Sequence, residues 1–128
     1  MPAYDSALFD PPATVTEVTL RNPKTGSALS GVLMLLDSGA DVTLLPRAST
    51  DQLNIDVIPD ESYELVGFDG QTSFAPVVRL ELTFLGRTFR GRFLLTGQQQ
   101  GILGRDILNF VSLLLDGPHL VWREGRSK

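Results

Sequence analysis

The stretch Val32-Leu33-Met34-Leu35-Leu36-Asp37-Ser38-Gly39-Ala40-Asp41 decides how the rest of the chain is read. Five apolar residues without polar relief predict a strand buried on both faces. The run stops at a carboxylate. Ser38 and Gly39 follow, and glycine permits backbone angles that other residues resist. Aspartate is rarely buried without a partner. The reading therefore turns on what stands opposite Asp37.

Around this stretch the chain reads as short strands. Residues 1–12, ending in Asp10-Pro11-Pro12, are too polar and proline-rich to assign structure and read as a flexible arm. Thr14–Arg21 alternates like a strand. Asn22–Gly26 is a turn, and Ala28–Leu36 completes a hairpin. Beyond Asp37, Val42–Leu45 is extended and Pro46 suits the start of a short helix over Arg47–Leu53. Ile55–Ile58 reads as a brief strand. Ser62–Val66 and Gln71–Phe74 read as a hairpin whose tip, Gly67-Phe68-Asp69-Gly70, is bracketed by glycines. Val77–Leu85 places Val78, Leu80, Leu82 and Phe84 on one face and Arg79, Glu81 and Thr83 on the other. Thr88–Thr96 returns, with Phe89 and Phe93 opposite Arg90 and Arg92. Ile102-Leu103-Gly104 is a second apolar strand end, followed by a helical turn or two over Arg105–Phe110. Val111–Leu115 and His119–Trp122 form a last hairpin, before a polar tail at 124–128. The expected fold is mostly β, a closed barrel or sandwich with one or two short helices.

Composition narrows the function. A chain of 128 residues, 42% hydrophobic and 20% charged, fits one soluble globular domain with a real core. A net charge of −4 and a pI near 4.8 argue against nucleic acid or an anionic membrane as the main partner. No apolar run approaches the roughly 20 residues of a membrane span, and Met1–Ser6 lacks the basic and apolar regions of a signal peptide. Without cysteine there is no disulfide or thiol chemistry, and a cytoplasmic location is the default. A single histidine cannot build a histidine-rich metal site.

Asp-Ser-Gly alone is a weak signal. It gains weight from the apolar strand before it and from the second strand end, Ile102-Leu103-Gly104-Arg105-Asp106. Together with the Gly67–Gly70 tip, these motifs resemble the retropepsins, the single-domain aspartic proteases of retroviruses and their cellular and bacterial relatives. The resemblance covers residues 13–123 in order and spacing.

It implies a retropepsin-like closed barrel with a flap hairpin. It further implies a homodimer in which each copy gives one aspartate to a shared site. Asp37 would activate water and protonate the leaving amine. Ser38 would hydrogen-bond across the dimer, and Gly39 would let the backbone pass close to the substrate. Ala40, Asp41 and Val42 would line the cleft, with Ile102 and Leu103 adding apolar wall. Val66, Gly67, Phe68, Asp69 and Gly70 would bond an extended peptide through the backbone. Gly104 and Arg105 would support the site, Arg105 pairing with Asp41. Substrates would be extended peptides with large apolar residues at the cut, without metal or cofactor.

Physical reasoning reaches the same assembly. Peptide hydrolysis needs one group to take a proton and one to give it. Two carboxyls sharing a proton do both. Asp69-Gly70 and Asp116-Gly117 lack the apolar strand, so the second carboxylate must be Asp37 of another copy.

Other readings stay open. Asp37 could be a turn acid capping a local N–H. The domain could be a non-catalytic member of the fold that only binds peptides. The Arg105–Asp41 pair could be purely structural, and Phe68 a core residue. Leu8-Phe9, apolar in an acidic arm, is a candidate self-cleavage site. Three features depart from the family: Ser38 for the commoner threonine, Asp106 where asparagine is frequent, and a longer stretch after Phe110.

Overall fold

The computed structural model describes residues 2–67 and 69–125. The strand that carries the Asp37 motif, β3 (Ala28–Leu36), lies where its apolar pattern predicts. It pairs antiparallel with β2 (Ala13–Arg21) through a turn clamped by Asn22, whose N–H donates to Ser27 and whose carbonyl accepts from Gly26. It is not buried on both faces. Val32 and Met34 are in the core, whereas Leu33, Leu35 and Leu36 are only half-buried. Leu36 shares the face of Val32 and Met34 and packs against the core, whereas Leu33 and Leu35 alternate to the other face.

After Asp37 the chain enters β4 (Leu44–Pro46) and α1 (Arg47–Gln52). β8 (Gly101–Leu103) then slots between β3 and β4, parallel to the first and antiparallel to the second. That close passage explains two glycines. A Cβ at Gly101 would lie 2.5 Å from the Leu44 carbonyl oxygen, and one at Gly104 would lie 2.5 Å from that of Val42.

Two pairs of segments that the sequence reads as separate strands are continuous. Ile55–Ile58 and Ser62–Val66 give way to β5 (Val57–Val66), with an irregularity around Asp60, whose φ is +61°. Gln71–Phe74 and Val77–Leu85 merge into β6 (Thr72–Phe84). Pro76 lies at the join. It faces Ser62 of β5, and pairing with β7 (Arg87–Thr96) begins only at Val77. β6 is thus locally an edge at Pro76, where a missing N–H is tolerated. Beyond that point β5 and β6 leave the body as a two-stranded ribbon, with Tyr63, Val66 and Phe74 exposed.

With the short β1 (Tyr4–Asp5) at one edge, the main sheet runs β1-β2-β3-β8-β4-β7-β6-β5, and an added β2–β6 pairing partly closes it into a ring. Val18, Leu20, Val78, Leu80, Leu82 and Phe84 fill the interior, as the alternation of β6 predicts. α2 (Arg105–Leu108) leads to a second, two-stranded sheet, β9 (Leu113–Asp116) with β10 (Val121–Glu124). This hairpin sits two residues later than its sequence suggests. Trp122 sets the register. Its ring is buried against Phe84, with centroids 6.3 Å apart, and its Nε1–H donates to the Val15 carbonyl at 2.8 Å.

Within the segment read as an arm, residues 2–5 join the body. β1 (Tyr4–Asp5) pairs with β2, Ala3 bridges Val121, and the Trp122 N–H donates to Pro2 at 3.0 Å. Met1 and residues 126–128 of the expected tail lie outside the described residues.

Candidate active site

Two strand ends, those of β3 and β8, meet at the Asp37 turn. The Asp37 N–H donates to the Leu103 carbonyl at 3.0 Å, which continues the β3–β8 ladder by one step. Its own carbonyl accepts the Ala40 N–H at 3.2 Å, closing the turn. Its Oδ1 accepts the Gly39 N–H at 2.9 Å. A Cβ at Gly39 would lie 3.1 Å from that oxygen, so the absence of a side chain gives the carboxylate its room. Within one chain Asp37 is a half-buried turn acid with one local donor, and Ser38 and Gly39 beside it are exposed.

Arg105 braces the turn from α2. Its N–H donates to the Ala40 carbonyl at 2.8 Å, and its Nη1 donates to the Ser38 carbonyl at 2.7 Å. The expected pair with Asp41 does not form. The guanidinium reaches the nearer backbone oxygen, and Asp41 is exposed without an ion-pair partner among the described residues.

A second brace was not foreseen. The buried Thr43 hydroxyl donates to Asp106 Oδ1 at 2.6 Å and accepts the Gly104 N–H at 3.1 Å, while the Thr43 N–H donates to Asp106 Oδ2 at 3.1 Å. One hydroxyl and one carboxylate thereby lock β4, the end of β8 and the start of α2 together. The available signal was a lone polar residue inside Val42-Thr43-Leu44-Leu45.

The other expected residues fall into two groups. Val42 and Leu44 pack with Ala75, Val77, Leu94, Ile58 and Leu65 in a small apolar cluster under the base of the ribbon. Ile102 is half-buried and Leu103 is fully buried, so Leu103 serves the core rather than a pocket wall. At the ribbon tip, the Gly67 N–H donates to Gln71 at 2.9 Å, the Gly70 N–H to Gly67 at 3.0 Å, and Asp69 Oδ1 accepts the Gln71 N–H at 3.0 Å. Gly70 takes φ +80°, which glycine adopts without steric cost. Phe68 lies outside the described residues. A cavity of about 480 Å³ lies between the ribbon base and Val42, Thr43 and Asp106.

A partly closed β ring, a strand-end aspartate turn braced by a glycine-ended strand, and a projecting ribbon define a retropepsin-like fold. Among solved structures, the EIAV protease complexed with the inhibitor HBY-793 superposes with a TM-score of 0.55 at 25% sequence identity, over 77% of this chain and 86% of that one. No family model and no curated protein matches the sequence.

Proposed function

We propose that the protein is an aspartic endopeptidase that works as a homodimer, with one Asp37 from each copy. The observation that supports this best is the Asp37 turn itself: a carboxylate at the end of a strand, fixed through its backbone by Leu103 and with a single local donor. One such acid cannot both accept and donate a proton in the same step. A two-fold axis between two copies supplies the second, and the two carboxyls share one proton.

In the reaction, water sits between the two carboxyls. The ionised one takes a proton from water as its oxygen attacks the peptide carbonyl. The protonated one gives its proton to the carbonyl oxygen. The tetrahedral diol collapses when the first carboxyl passes its new proton to the amide nitrogen and the second takes one from a diol hydroxyl, so the C–N bond breaks and a carboxylic acid and an amine leave. Arg105, Thr43 and Asp106 hold the turn in place. The ribbon ending at Gly67–Gly70 closes over an extended peptide, whose backbone adds as a strand. Apolar Val42, Leu44 and Leu65 favour apolar side chains near the cut.

Cleavage of an apolar peptide library, read by mass spectrometry from pH 3 to 8, tests this. Wild type is expected to cut and Asp37→Asn to be inactive, with both dimeric by analytical ultracentrifugation. Equal cleavage by Asp37→Asn overturns the reading. The alternative is a non-catalytic peptide-binding domain in which the Gly39 N–H bond to Asp37 only shapes the turn. Peptide binding without cleavage by either form would select it.

A further inference from the structure

The outer face of β2, β6 and β7 carries charges in cross-strand rows. In one row Glu81 stands between Arg21 and Arg90, bonded to both at 2.7 and 2.6 Å. Two residues along, the next row has a cation where the acid should be. Arg79 faces Arg92 directly. Like charges in that position repel. Glu61 from β5 neutralises Arg92 at 2.6 Å, but Arg79 has no acid partner among the described residues, and neither has Lys24 in the β2–β3 turn.

Lys24 and Arg79 line one cavity of about 800 Å³, with Ile55, Val57 and Ile58 as apolar wall. Its carboxylates are Asp56 and Glu61, the latter already committed to Arg92. Three cations against two acids leave positive charge here in a chain whose net charge is −4. The Lys24 side is preformed. Its N–H donates to Asn22 Oδ1 at 2.9 Å, and buried Asn22 in turn donates through Nδ2 to the Leu53 carbonyl at 2.9 Å. The Glu61–Arg92 pair also lines the 480 Å³ cavity that reaches Val42, Thr43 and Asp106. The two cavities thus adjoin at that pair, with Val42 on one side and Lys24 and Arg79 on the other.

We propose that this cavity is an outer subsite that takes a carboxylate, flanked by apolar residues, from the extended peptide held in the cleft. The ligand acid fills the gap in the second row, as Glu81 fills the first. The assignment rests on the peptide-cleft reading above, but its test does not require cleavage.

Full-length Asp37→Asn protein, labelled with nitrogen-15, is titrated with acetyl-Val-Leu-Glu-Val-Leu-amide, its glutamine twin, and the glutamine twin with a free C-terminal carboxylate. The glutamate peptide is expected to shift the Lys24, Ile55 and Arg79 amides and to bind at least about tenfold more tightly than the amidated glutamine twin. Tight binding of the free-carboxylate twin assigns the site to chain ends, and weak binding assigns it to acidic side chains. Arg79→Gln is expected to abolish the preference with the rest of the spectrum unchanged, and Arg79→Glu to transfer it to a lysine twin. Equal binding of the two amidated peptides, or a preference that survives Lys24→Gln/Arg79→Gln, overturns the proposal. A glutamate preference in a protein whose wild type cuts no peptide leaves the subsite standing and removes the protease.

Discussion

The Thr43 hydroxyl donates to the Asp106 carboxylate at 2.6 Å while accepting the Gly104 N–H at 3.1 Å. Thr43→Val keeps the shape and removes both bonds, leaving a buried N–H without an acceptor. The expected cost is about 1–3 kcal/mol, read by urea unfolding. Asp106→Asn retains an acceptor oxygen toward Thr43 and is expected to lose less than Asp106→Ala.

Gly104 and Gly91 make a controlled pair. A methyl at Gly104 meets backbone atoms of Val42 at 2.5 and 2.6 Å, and backbone does not swing aside. Gly104→Ala is expected to destabilise by roughly 1–3 kcal/mol or more, and to displace the Asp37 turn that the β8 end supports. Nothing lies within 4 Å of a Cβ at Gly91, inside β7. Gly91→Ala is expected to be neutral or slightly stabilising, because it restricts the unfolded chain. Thermal melts of the two variants check the contrast.

Trp122 ties the last hairpin to the main sheet through its Nε1–H bond to Val15 and its contact with Phe84. Trp122→Phe keeps most of the apolar volume and is expected to cost about 1 kcal/mol for the lost bond. Trp122→Ala is expected to cost about 3–5 kcal/mol through the cavity it leaves. Denaturant unfolding separates the two.

The Arg21 bond, opposed by desolvation and aided by Arg90, holds the Glu81 carboxyl below the usual carboxylate range. A lowered folded-state pKa means that this contribution is fully present above the ordinary glutamate value. It is lost as pH falls through the lowered one. Glu81→Gln is therefore expected to flatten the acid limb of the stability curve while changing the neutral region less. The difference between the two proteins is expected to shrink in high salt, because the flanking arginines are exposed. Melting temperatures across pH 2–7 at two ionic strengths read both effects.

The extent to which these features were legible in the sequence follows the range of the forces involved. β3 follows from a continuous apolar run and the buried face of β6 from local alternation, and both lie where the pattern predicts them. The join of Gln71–Phe74 to Val77–Leu85 was not legible because the edge position at Pro76 depends on where β7 begins to pair, which no local pattern records. Leu33 and Leu35 misled for the same reason: their exposure depends on whether another layer covers them. At the site, Asp37, Gly39 and Gly104 stood out because their spacing matters within a few residues. The Thr43–Asp106 bond joins positions 63 apart and is invisible until β8 is seen between β3 and β4. The reach of Arg105 to Ser38 rather than Asp41 is a matter of side-chain length and direction, which no sequence pattern records.

The bonding of Pro2, Ala3 and Tyr4 to residues 120–122 puts the two ends of the described chain side by side. A linker of a few residues from Gly125 back to Pro2 would close the polypeptide into a circle without disturbing the ring of strands. New termini opened between exposed Gln98 and Gln99 would then give a circular permutant in which β8 leads the chain and β7 ends it. Such a molecule would present its ends away from the original junction and leave that edge free for attachment of a second domain.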